Sequence, residues 1–151
     1  MFGDWDIIAG GMFDDVWDKD RHVIAPFDIP HNWRLDRSLD WGESKPFSVG
    51  WWAESDGSDV RLSNGQWIST VKGDLFRIAE WYGWTGKSNQ GLRMLATEVA
   101  EGIVEREIQL GIYGRVQPGP ADNSINDVDN GKSIATDMAK SGRFTAQDIE
   151  K

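Results

Sequence analysis

Two aspartates stand out in this chain because of what surrounds them. Asp40 closes an apolar-alternating segment, residues 33–39, inside the tetrapeptide LDWG. Asp122 follows the rigid PGP of residues 118–120, just past a short run at 112–116 that reads as a buried strand. A single acid at a strand end followed by glycine also occurs in many turns, because Asp and Gly suit turn backbone. Two strand ends from distant parts of the chain, each delivering a carboxylate to one sheet edge, would do more. They would form an oxygen-only pocket suited to a hard divalent cation, Mg²⁺ or Mn²⁺, at the kind of position where α/β folds collect their sites.

Other candidate motifs fail on their spacing. Gly131-Lys132-Ser133 has the tail of a phosphate loop, but Asn126 stands where that motif needs its first glycine, and a helix start accounts for Lys132-Ser133. No nucleotide binding is therefore expected. Residues 126–131, NDVDNG, resemble a calcium loop, yet Val128 occupies the third ligand position and no Glu stands at the twelfth. A solvated turn is the expected form, with Asp127 and Asp129 still able to approach a metal. His22 and His31 lie in an extended lead without a partner at ligand spacing. Glu98, Glu101, Glu105 and Glu107 read as the solvated side of a helix.

The elements that must position the two aspartates can be read in outline. Pro26 and Pro30 fix an extended path through an acidic lead, residues 1–32. Residues 47–54, FSVGWWAE, are rich in aromatic and β-branched types, and SDGS at 55–58 closes them like a hairpin turn. With SNG at 63–65 as a second turn, and strands at 66–71 and 75–82, residues 34–82 predict an antiparallel meander of three or four strands. Beyond Trp84 the pattern turns helical. Ser88 reads as an N-cap, and Leu92, Leu95, Ala96, Val99 and Ile103 form an amphipathic stripe running to about Leu110. A second helix over 133–140 would stop at Gly142, and residues 144–146 would begin another strand. Meander first, then alternating helices and strands, is the order of a mixed α/β sheet built like ribonuclease H.

Composition bounds these readings. The sequence has 151 residues, a formal charge of −9 and no cysteine. A disulfide scaffold, a thiolate zinc site and a cysteine nucleophile are excluded, and a reducing compartment fits. The apolar stretches fall far short of the roughly 20 residues that a membrane span needs, and the acidic N-terminus lacks the positive region of a signal peptide. A cytoplasmic protein is expected. Net acidity opposes simple counterion-driven DNA binding, but bound divalent cations would reverse the charge locally. Nine tryptophans fall between residues 5 and 84. Core packing is the expected role for most; Trp51-Trp52 and the pair Trp81 and Trp84 could instead offer stacking faces. Because neighbours in a strand point to opposite faces, at most one of Trp51 and Trp52 can serve a given surface.

A more specific likeness rests on the run WRLDRSLDWG at 33–42 and its continuation SKPFSVGWWAESDG at 44–57. GDLFRI at 73–78, EWYG at 80–83, PGPADNSI at 118–125 and KSI at 132–134 follow in order. Over nearly its whole length the chain resembles the nuclease domain of the large subunit of tailed-phage terminases. The resemblance implies a ribonuclease H-like fold, with residues 1–32 as a connector and 33–151 as a partial nuclease domain. It implies a metal-dependent endonuclease of the phage DNA-packaging machinery, cutting concatemeric DNA in the host cytoplasm. Double-stranded DNA, the terminase small subunit and the portal would be its partners. Three acids hold two divalent metals in that family; by motif match Asp40 is the first and Asp122 the second. The third is expected beyond Lys151, since Asp148 comes too early. With neither a Walker loop nor a third acid, the chain reads as a piece of a large subunit, expected to bind Mg²⁺ or Mn²⁺ weakly and to cleave little. The alternatives are an inactive prophage remnant and a Trp-rich acidic module that stacks sugar rings.

Overall fold

The computed structural model describes residues 15–128 and 131–141. In chain order these form a one-turn helix α1 (Lys19–His22), then β1 (Arg34–Asp40), β2 (Ser48–Glu54), β3 (Val60–Arg61), β4 (Trp67–Ile68) and β5 (Leu75–Tyr82). Helix α2 (Ala96–Gln109), β6 (Val116–Gln117), a 3₁₀ turn (Asn123–Asn126) and α3 (Ile134–Lys140) follow. The chain divides into two compact units. One combines the residues up to Asp28 with Asp59–Ser69, and the other combines Ile29–Ser58 with the residues from Thr70 onward. In the first, β3 pairs with β4, and Phe27 bridges to Leu62.

The second unit is built on a mixed four-stranded sheet in the order β5-β2-β1-β6. β1 and β2 run antiparallel from Arg34–Glu54 to Asp40–Ser48, and β2 and β5 are also antiparallel. β6 joins β1 in parallel through Leu35–Val116 and Asp36–Gln117. The expected meander is thus three strands, with residues 59–69 excluded from the sheet. Strand alternation sends Leu35, Val49, Trp51 and Ala53 to one face, where each is at most 2% exposed. Helix α2 covers that face with Val99, Ala100 and Ile103, all fully buried. The Arg106 guanidinium of α2 lies 3.6 Å above the ring of Trp81 on β5. Arg34, Asp36, Ser38, Asp40, Trp52 and Glu54 belong to the opposite, more polar face.

Three elements differ from their sequence-based bounds. The strand expected at 66–71 contracts to β4, because Thr70 leaves it to bond Ser55 Oγ and to donate to the Ser58 carbonyl at 2.7 Å. Helix α2 begins at Ala96 rather than after Ser88. Asn89 and Arg93 have φ of 56° and 55°, values that interrupt a right-handed helix, and Trp84 bridges to Gly91 instead. The Glu98 side chain marks the true start by accepting the Leu95 N–H at 2.7 Å. The strand expected at 112–116 is a turn up to Arg115, because the N–H groups of Ile112 and Tyr113 donate to the Glu107 carbonyl. Ile112 is nevertheless buried. Helix α3 matches its expected position, with Ser133 Oγ accepting the Thr136 N–H at 3.2 Å as N-cap. Gly142, the strand expected at 144–146, Asp129 and Asp148 lie outside the described residues. No described helix is long and apolar enough to cross a membrane.

Candidate metal centre

Asp40 is the last residue of β1 and is exposed. Its backbone pairs with Ser48 in the ladder, while its carboxylate makes no hydrogen bond or ion pair with any described residue. Asp122 reaches the same sheet edge through the PGP segment. Gly119 lies so close to β1 that a Cβ would overlap the Arg37 carbonyl, so only glycine fits. That approach lets the chain continue the parallel ladder past β6. The Leu39 N–H donates to the Pro120 carbonyl at 3.0 Å, and the Asp122 N–H donates to the Leu39 carbonyl at 3.1 Å. These two bonds form the parallel bridge between Leu39 and Ala121. Pro120 suits its place, because the ladder needs its carbonyl and not the N–H it lacks.

Asp40 and Asp122 each follow this bridge by one residue, on adjacent strands running in the same direction. Neighbouring strands lie about 4.8 Å apart, and alternation turns both residues away from the face of Leu39 and Ala121. Asp122 also caps the 3₁₀ turn, its Oδ1 accepting the Ser124 N–H at 2.7 Å. Hydrogen bonds from Ser124 hold the Asp122 carboxyl below the usual carboxylate range, against a small opposing effect of burial. Asp122 is therefore an anion at neutral pH. On the same face Asp36 and Glu54 are matched by Arg34, and Glu80 by Arg77. Asp40 and Asp122 have no ion-pair partner among the described residues. Aspartates at neighbouring strand positions, with oxygen donors alone, are of the type that suits Mg²⁺ or Mn²⁺, although no group of three or more His, Cys, Asp or Glu positioned for a metal occurs among the described residues.

No protein-family profile and no curated protein matches this chain. Among solved structures, the chain is similar to the large terminase of the thermophilic bacteriophage D6E, with 21% identity over 77% of its residues and a TM-score of 0.47. It spans 24% of that terminase's length.

The remaining sequence candidates fall in other places. Arg37, on β1 three residues before Asp40, is not at that edge but is turned to the helix side, where it meets Glu107 at 2.6 Å. Glu107 is 4% exposed, not solvated as expected, and also accepts the Trp51 indole N–H at 3.0 Å. The stripe Val99, Ile103, Glu107 advances by four residues, so helical spacing alone pointed to burial. His22 stacks on Trp17 at 5.0 Å, and His31 is exposed. Asp127 is the C-cap of the 3₁₀ turn. Trp33 and Trp51 are core residues at 3% and 1% exposure; Trp67 and Trp84 are exposed but belong to different units.

Proposed function

We propose that Asp40 and Asp122 are the divalent-cation ligands of a DNA phosphodiester hydrolase, a terminase-type nuclease domain of ribonuclease H-like fold. The observation that carries the proposal is the Leu39–Ala121 bridge, which sets the two acids in neighbouring positions at one strand end. The motif resemblance of residues 33–57 and 118–134 supplies the substrate class, DNA in the packaging pathway, and with it the small subunit and portal as partners. A cation held between these carboxylates would polarise the phosphate and lower the pKa of a bound water. The protein's own part is to bring both side chains to one end of the ladder. Asp122 is fixed by its Ser124 bonds, while Asp40 is left uncommitted to turn toward the ion.

With two acids the site should hold Mn²⁺ weakly and cut slowly. Mn²⁺ titration followed by electron paramagnetic resonance tests this directly. Asp40→Asn and Asp122→Asn should each weaken binding roughly tenfold or more, with the fold intact by circular dichroism. Binding that ignores both substitutions would overturn the assignment. Nicking of supercoiled plasmid in Mn²⁺ should be slow and should disappear in Asp40→Asn.

A further inference from the structure

We infer that Trp52 is a stacking platform for an unpaired base beside the phosphate to be cut. The inference rests on the metal-centre reading above and names the form of DNA that the site takes. Trp51 and Trp52 divide between the two faces of the sheet. Trp51 is buried beneath α2, while Trp52 lies on the polar face, paired across the strands with Asp36 and Arg77.

The position of the indole is fixed from below. A Cβ on Gly50 would stand 2.9 Å from Trp52 Nε1 and 3.4 Å from Cε2, so the ring rests on the glycine backbone. The indole N–H donates to Ser38 Oγ at 3.0 Å. The ring therefore covers the cross-strand pair Ser38–Gly50, which is the next pair on that face after Asp40–Ser48. Two residues along a strand span roughly 6.8 Å. In a stacked duplex strand that equals the rise of about two nucleotides at roughly 3.4 Å each, and a more extended single strand covers it in fewer. A phosphate at Asp40 and Asp122 would thus bring a base one or two positions away over the indole.

The surroundings suit this ligand. The ring is half-buried, its one polar atom is already satisfied, and no described ring or cation stacks on it. The charges beside it, Asp36 with Arg34 and Arg77 with Glu80, are paired with each other. A strand crossing this face would meet a cation at the two aspartates and a near-neutral aromatic surface next to them. Paired bases in a duplex present only their edges, whereas an unpaired base offers its π-face. The site should therefore favour a single strand or an opened duplex at the cut.

The test uses the full chain and an oligothymidylate of about twelve nucleotides carrying one 5-iodouracil. Irradiation should crosslink it to the peptide containing Trp52, and unlabelled single strand should compete better than duplex. In anisotropy titrations Trp52→Leu should bind the oligonucleotide roughly tenfold more weakly, while Trp52→Phe retains most of the affinity. A crosslink confined to another aromatic residue, or an unchanged affinity in Trp52→Leu, would overturn the platform. If Trp52→Leu does not fold, the wild-type crosslink still decides. Mn²⁺ binding serves as the separate readout. If it depends on Asp40 and Asp122 while Trp52 fails, the platform alone falls. If it ignores both acids, the metal-centre reading falls first and takes the placement beside the cut with it.

Discussion

Glu107 brings a carboxylate into the core and meets two donors there, the Arg37 guanidinium at 2.6 Å and the Trp51 indole at 3.0 Å. One side chain thereby ties α2 to both β1 and β2, the strands that carry Asp40 and Trp52. With side chains 12% and 5% exposed, Arg37 and Glu107 are shielded from the solvent screening that weakens surface pairs. Removing Glu107 takes away a buried counter-charge of Arg37 and the acceptor of the Trp51 indole together, a loss of about 3–5 kcal/mol. Glu107→Ala should therefore destabilise the chain by that order in urea unfolding. Glu107→Gln, which can still accept from the indole, should cost less. Equal, small effects would show that water reaches the pair. The same residue shows how sequence reading fails at this scale. Charge type argued for a solvated helix face, while the four-residue advance from Val99 through Ile103 argued for burial. Only the partners contributed by β1 and β2, far away in sequence, decide between them.

At the scale of elements, the segment from Val116 to Asp122 does the most for the site with the least regular structure. β6 supplies two paired residues, and the ladder resumes only at Ala121. Between them Gly119 presses against the β1 backbone. Gly119→Ala leaves both aspartates in the chain but forces the PGP segment off the Arg37 carbonyl. The expected result is an overpacking cost of about 1–3 kcal/mol, with a loss of Mn²⁺ affinity as large as that of Asp122→Asn. Comparing the two variants by electron paramagnetic resonance and urea unfolding would check this. Intact binding in Gly119→Ala would mean that Asp122 does not need the ladder. Much of this was legible beforehand. Alternation and turn residues gave β1, β2 and β5, and both acids were placed at strand ends. The strand at 112–116 was misplaced because IYGRV has strand-forming residues, whereas the Glu107 carbonyl that captures two of its N–H groups belongs to the preceding helix. The start of α2 was misread because apolar spacing cannot reveal positive φ at Asn89 and Arg93.

For the molecule as a whole, the question is which parts the sheet depends on. Residues 59–69 leave the second unit at Ser58 and return at Thr70, and these two points are already joined. Thr70 Oγ1 donates to the Ser58 carbonyl at 2.7 Å and meets Ser55 Oγ, while Ser55 exchanges backbone hydrogen bonds of 2.9 Å with Gly73 and Asp74. β2 and β5 are thus closed as a hairpin without help from the excursion. Asp56, which accepts from the Trp33 indole and from Ser58, secures the same corner from the β1 side. Replacing 59–69 with two glycines removes β3, β4 and the buried Val60 and Leu62 of the first unit, but the ends it joins in the second unit are already held together, so the closure cost there is small. The sheet, its buried face under α2 and the Asp40–Asp122 pair should survive. The second unit should keep its cooperative unfolding, and Mn²⁺ affinity should match that of the parent chain. A variant that loses both its cooperative unfolding and its Mn²⁺ binding would show instead that the second unit needs the first in order to fold.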